Sequence, residues 1–175
     1  QEEKEKYGVP MMNCRMEMCV PDRWPEGVPL GIRNKIDRKE CYAFLVSELL
    51  VDINTYVLRK HSSKVWPETE VIDPEKSCCH ISNYLSGYTK QEKIDYLNAI
   101  GFRYKYGLSD MATRNFIRSK GRIYSIDEDA INHHLSLYNE LNKTRFTQLK
   151  ELYKEYQEYM NVDLKNELVK GIESE

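Results

Sequence analysis

Along most of the chain, hydrophobic positions recur at three- and four-residue steps, the spacing of a helix with one buried face. The longest such run is Ser125 to Met160, which contains neither Pro nor Gly. Ser125 stands three residues before Glu128, the pattern of a capping box, and Asp127, Glu128 and Asp129 suit the positive end of a helix dipole. Leu135, Tyr138, Leu149, Leu152, Tyr156 and Tyr159 then share one face. A single helix of that length would exceed about 50 Å at about 1.5 Å per residue, longer than a small domain. Its distal seam of Leu149, Leu152, Tyr156 and Tyr159 must fold back on the core or pair with another chain, and the length favours pairing.

The same period predicts further helices. Asp37 and Glu40 open one on which Tyr42, Leu45, Leu49, Ile53, Tyr56 and Val57 form a face. Phe44, Val46, Leu50 and Val51 widen that face, so this helix is expected to be the central core element, ending near His61. After a loop with Pro67, Asp73-Pro74-Glu75 opens a helix carrying Cys78, Ile81, Tyr84 and Leu85, and Gly87 closes it. Thr89 and Glu92 repeat the capping box, Ile94, Leu97 and Ile100 follow, and Gly101 reads as the terminating residue. Ser109 to Lys120 reads as a short helix stopped by Gly121, Arg122 to Tyr124 as a small strand, and Asp163 as the cap of a last helix with Leu164, Leu168 and Ile172. The first residues, QEEKEKYG, read as a frayed charged tail. Pro10, Pro21, Pro25 and Pro29 forbid a long helix over the next stretch, whose Met11, Met12, Met16, Met18, Val20 and Trp24 suit an extended arm laid over the core.

The expected architecture is therefore all-α: a domain of five to seven helices with an extended N-terminal arm and a long C-terminal helix. Residues 1–36 are the arm, 37–141 the helical core, and 142–175 the C-terminal helical extension. Phe44, Leu45, Leu49, Ile53, Ile81, Leu85, Leu97, Ile100, Phe116 and Leu135 are expected to be buried together.

Composition fits a globular chain, with 41% hydrophobic and 31% charged residues over 175 positions. Thirteen Tyr against four Phe point to many side chains at the core boundary, where a ring packs and a hydroxyl stays wet. Five Cys in no regular spacing, with no secretory leader pattern, favour a reducing cytoplasmic or nuclear compartment. Gln1 is not an initiator Met, so the sequence is read as a processed or excised piece. No apolar run approaches the roughly 18 residues of a membrane span.

Chemistry is sparse. There is no glycine-rich phosphate loop, no H-E-x-x-H and no G-x-S-x-G, so no enzyme is expected. Cys14, Cys19, Cys78, Cys79 and His80 could in principle supply soft ligands. Adjacent Cys78 and Cys79 diverge by about 100° on a helix, however, and buried thiols are common, so neither metal nor cofactor is expected. His133 and His134 fail as a chelating pair for the same angular reason, and His133 is expected to pair with Asp129.

Charge alters this picture. From Thr89 to Ser125, eight basic residues face only Glu92, Asp95 and Asp110, a net of +5, whereas from Ile126 onward eleven acids face six bases, a net of −5. A basic middle beside an acidic tail speaks of partners. The run Gly107 to Leu135, GLSDMATRNFIRSKGRIYSIDEDAINHHL, has the order of a helix-turn-helix with a short wing. It resembles the small winged modules of MerR-type regulators, excisionases and small terminase subunits. The resemblance implies a recognition helix over Asp110 to Ser119 presenting Thr113, Arg114, Asn115, Arg118 and Lys120, with Arg122 on the wing, and Arg103 and Lys105 of the basic stretch join them as candidates for nucleic acid. A second stretch, Tyr42 to Leu58, then Ile72-Asp73-Pro74 and Cys78 to Tyr88, is similar to the helical BEN domain, which implies binding to DNA or to partner proteins. Two functional expectations follow. One is a non-enzymatic helical interaction module, part of a protein assembly, with a protein partner or self-association through the C-terminal helix. The other is a DNA-binding protein using the basic stretch 103–122.

Overall fold

The computed structural model describes residues 1–18, 43–47, 85, 87–128 and 131–175. They belong to two compact units, one comprising Gln1–Met11 and Leu50–Glu175, the other Met12–Leu49.

The smaller unit holds an antiparallel pair, β1 (Cys14–Met18) and β2 (Ala43–Ser47), in the register Cys14↔Ser47 to Met18↔Ala43. This overturns the helix expected around Phe44, Leu45 and Val46. A short apolar run rich in Phe, Leu and Val fits a strand as well as a buried helix, and its period cannot separate them. The rest of that expected helix, with Leu49 and Ile53, lies outside the described residues, as does the helix carrying Ile81 apart from Leu85.

In the larger unit, α1 (Glu2–Tyr7) replaces the expected frayed tail, and its Lys4 and Tyr7 are buried. Helix α2 (Lys90–Lys105) is the centre. Thr89 and Glu92 form the expected capping box, each side chain accepting from the other's backbone N–H. Gly101 does not end this helix. It lies where α2 crosses the last helix, and a Cβ there would sit 2.7 Å from the Leu164 carbonyl oxygen. The glycine is needed for close approach, not for a cap.

The helix expected over Ser109 to Lys120 is not formed. A 3-10 turn (Thr113–Asn115) leads into β3 (Phe116–Ser119), which pairs antiparallel with β4 (Arg122–Ser125). Lys120 and Gly121 join them with φ of 53° and 70°, the paired left-handed conformation of a tight hairpin turn. Asn115 anchors the approach, its side-chain amide donating to the Asp110 carbonyl at 2.8 Å.

The long Ser125–Met160 helix is also absent. Ser125 closes β4, and Asp127 follows with φ 55°, which α-helical backbone cannot accommodate. Helix begins only at α3 (Leu137–Glu140), capped by Ser136, and restarts at α4 (Lys143–Tyr156), capped by Asn142. A 3-10 turn (Gln157–Tyr159) and a further cap, Asn161, precede α5 (Val162–Glu173). The last helix matches its expected position, with Leu164 and Leu168 fully buried, although Asn161 caps it rather than Asp163.

The all-α expectation is therefore corrected. The described residues are mostly helical but include two antiparallel two-stranded ribbons. The main core gathers Leu85, Leu97, Ile100, Met111, Phe116, Ile123, Leu137, Leu141, Leu149 and Leu168, with Leu135 packed at its edge. A smaller cluster joins Tyr7 and Val9 to Phe102, Leu108 and Leu164.

Candidate functional site

The two arginines of the β3–β4 ribbon meet two buried acids of α2. Glu92 and Asp95 lie one turn apart on that helix, and both are 1% exposed at the side chain. The Arg118 guanidinium engages Glu92 through Nε to Oε2 and through Nη2 to Oε1 at 3.1 Å, while stacking 4.2 Å from the centre of the Tyr88 ring. The Arg122 guanidinium forks onto Asp95, Nε to Oδ2 at 2.7 Å and Nη2 to Oδ1 at 2.9 Å. Asp95 also accepts from the Ile123 N–H and from Gln91 Nε2. These hydrogen bonds hold the Arg122 guanidinium above its already high ordinary pKa, against the opposing effect of burial. Fork-to-fork pairs of this kind are the strong form of the ion pair, and here they fasten the ribbon to the central helix.

Arg103, the first arginine of the basic stretch, is wholly buried. Its Nη1 donates to Ser125 Oγ at 2.9 Å and to the Ile126 carbonyl at 3.0 Å, and its Nη2 to the Ser109 carbonyl at 2.8 Å and the Asp110 carbonyl at 3.2 Å. One guanidinium thus ties together the loops before and after the ribbon. Asn115 is buried as well. Lys105 is half-buried with Nζ 5.7 Å from the centre of the Tyr7 ring, and Thr113 is half-buried. Arg114 is 67% exposed at the side chain and pairs with Asp110 at 2.9 Å. Lys120 is exposed at the hairpin tip. The eight candidate nucleic-acid residues therefore divide. Arg103 and Asn115 build the interior, Arg118 and Arg122 are held by acids, and Arg114 and Lys120 face solvent on the ribbon side.

The expected interface seam also divides. Leu149 and Leu152 are buried in the chain's own core, and Tyr156 packs against it. The α4 seam has folded back. Tyr159 is instead 56% exposed, and so is Val162 beyond it at 63%.

Beside Tyr159 opens a cleft of about 520 Å³ that the sequence does not announce. Tyr7, Lys90, Gln91, Asn98, Tyr159 and Asn161 contribute to its lining. Lys90 Nζ sits 3.1 Å from the centre of the Tyr159 ring, a cation–π contact. The Asn161 N–H donates to Asn98 Oδ1 at 3.1 Å, fixing the turn that presents Tyr159. These residues come from α1, the first half of α2 through Asn98, and the turn before α5, so no local spacing could have grouped them.

Among the described residues, no group of His, Cys, Asp and Glu is arranged to hold a metal ion. Cys14 lies on β1, whereas Cys19, Cys41, Cys78 and Cys79 lie outside the described residues, as does Asp129, the expected partner of exposed His133. No described helix is long and apolar enough to cross a membrane. Comparison with known proteins finds no matching family model, curated protein or solved structure.

Proposed function

We propose that this chain is a non-enzymatic protein-interaction module of a reducing intracellular compartment, and that it contacts its partner around the Tyr159 cleft. The observation that carries this reading is the pairing of Arg118 with Glu92 and Arg122 with Asp95. A guanidinium that is forked onto a buried carboxylate has little left to give a phosphate. On the ribbon, that leaves nucleic acid chiefly Arg114 and Lys120, and Arg114 already faces Asp110. Exposed Tyr159 and Val162 offer what protein interfaces use: an aromatic anchor with an apolar neighbour that a partner can cover.

The test is a fluorescence-polarisation titration with duplex and single-stranded oligonucleotides at low salt. No saturable binding is expected. Binding whose constant falls with a salt slope of several units would mean phosphate contacts and would overturn the reading. On the positive side, peptides selected from a random library on the immobilised chain should lose most of their affinity for a Tyr159→Glu variant.

A further inference from the structure

The cleft beside Tyr159 carries a donor and a positive charge that nothing within the chain answers. Asn98 lines it and is only 7% exposed. It sits in the middle of α2, where the backbone is closed within the helix, so its side chain is the part that reaches the cleft. Its Oδ1 accepts the Asn161 N–H at 3.1 Å. A backbone N–H can only donate, so this contact fixes which end of the amide is oxygen. The other end, Nδ2, donates to nothing among the described residues.

Lys90 stands at the rim, exposed, with its ammonium over the Tyr159 ring and no carboxylate beside it among the described residues. Lys90 and Gln91 are also the first two residues of α2, where backbone N–H groups have no partner within the helix and the dipole is positive. The one acid in the lining, Asp95, is already saturated. Arg122 forks onto both its oxygens, and the Ile123 N–H and Gln91 Nε2 add to them. What the cleft lacks is therefore an acceptor with negative charge, and its volume of about 520 Å³ exceeds that of a carboxylate side chain. The charge wanted is single. Glu158 and Asp163, exposed beside Tyr159 and Asn161 in sequence, would repel a polyanion.

We propose that the cleft binds an Asp or Glu side chain of a partner protein, with Lys90 Nζ and Asn98 Nδ2 donating to its carboxylate. The partner's neighbouring apolar residue then covers the Tyr159 ring. This rests on the reading of the Tyr159 cleft as an interaction surface and adds the chemistry of the partner.

The probe is a library of random peptides displayed between two fixed flanking segments, so that no free C-terminus is presented, and selected on the immobilised full chain. Enriched peptides should share an Asp or Glu beside an apolar residue. Synthesised with acetylated and amidated ends, they should lose about tenfold in affinity when that acid becomes Asn or Gln, the scale of one hydrogen bond to a charged group. Asn98→Asp keeps an oxygen for the Asn161 N–H but turns the free donor into an acceptor. It should weaken the acidic peptides at least as much and abolish their advantage over the amide forms. Lys90→Gln, on the surface, should also shrink that advantage while the thermal midpoint barely moves. Enriched peptides without an acid, or equal affinity of acid and amide forms, would overturn the carboxylate assignment and leave Tyr159-dependent binding, and so the interaction reading, standing. Failure to enrich any peptide would overturn both. Undiminished binding of the acidic peptides to folded Lys90→Gln and Asn98→Asp variants would refute the site. Peptides that bind only with a free C-terminus would refute the side chain as its occupant.

Discussion

Thr89 and Ser125 each stand three residues before a glutamate, and only Thr89 begins a helix. At Thr89 the hydroxyl accepts the Glu92 N–H and the Glu92 carboxylate accepts the Thr89 N–H. At Ser125 the hydroxyl and the Glu128 carboxylate are instead engaged by cations from distant segments. Arg103 donates to its hydroxyl, Lys4 donates to its carbonyl, and the same Lys4 pairs with Glu128. The lesson is about competition. A cap is worth about 1 kcal/mol, whereas two buried cations with several charge-assisted hydrogen bonds outweigh it. The Ser125 segment therefore becomes the hub on which α1, α2 and the ribbon meet.

The largest way to break the contrast is to remove Arg103. An Arg103→Met variant keeps the volume but removes the donor to Ser125 Oγ and to the carbonyls of Ser109 and Ile126, leaving the Asp110 carbonyl to Asn115. It should lose about 3–5 kcal/mol, the range for breaking a buried charged network, read as a fall in urea midpoint. A loss below about 1 kcal/mol would mean that Arg103 is better solvated than its burial shows.

Next in size is Gly101→Ala, which asks how far the helix begun by Thr89 reaches. If Gly101 lay in an ordinary helix interior, alanine would stabilise by about 1 kcal/mol. The Leu164 carbonyl stands 2.7 Å from the added Cβ, however, and backbone cannot step aside cheaply. A net loss of about 1–3 kcal/mol is expected, the cost of overpacking. Thermal denaturation showing a gain would place the α2–α5 crossing elsewhere.

A smaller effect tests the two serine- and threonine-led patterns directly by double-mutant cycles. Thr89→Ala and Glu92→Gln should couple by about 0.5–1 kcal/mol, as should Ser125→Ala and Arg103→Met. Ser125→Ala and Glu128→Gln should couple only through Arg103, whose Nη1 meets both Ser125 Oγ and Glu128 Oε1, and an Arg103→Met background should remove that coupling. Persistence of coupling there would restore a local box at Ser125.

These contrasts show what could be read from residues alone. The Thr89 box, the Leu164 and Leu168 face and the burial of Leu97, Ile100 and Phe116 were legible, because local spacing decides them. The ends of elements were not. Ser136, Asn142 and Asn161 are good caps in plain view, but each sits inside a run whose apolar period continues past it. Only half of the hairpin hid in the same way: the strand expected over Arg122 to Tyr124 is β4, but its partner read as helix. Met111, Phe116 and Ile117 suit a helical face, and only Lys120-Gly121 hints at a two-residue turn. The basic stretch misled for a different reason. The charge count was right, but Glu92 and Asp95 sit more than twenty residues from the arginines they neutralise, and no local window joins them. The cleft at Tyr159 is likewise assembled from distant segments.

The smallest expected effect concerns Asp110, whose spacing to Arg114 imitates a helical i, i+4 pair in a segment that is not helix. Asp110 has φ 55°, and its carboxylate meets the Arg114 guanidinium at 2.9 Å. Partial burial pulls its pKa upward, but hydrogen bonding from Asn115, the Arg114 charge and the Ala112 N–H together hold it below the usual carboxylate value. A depressed folded pKa means that the folded state prefers the ionised form. The stabilisation is thus present above the unfolded value of about 3.9, and it is lost as pH falls through the folded one. The pair is exposed, so the effect is a slight steepening of the acid limb, read by urea midpoints taken at descending pH. Asp110→Asn should lower stability slightly at neutral pH and flatten that limb below about pH 4, and added salt should shrink the difference because Arg114 lies in solvent. If the acid limb is unchanged in Asp110→Asn, the contact with Arg114 contributes nothing in solution and the loop is held by its contacts with Arg103, Asn115 and Glu140.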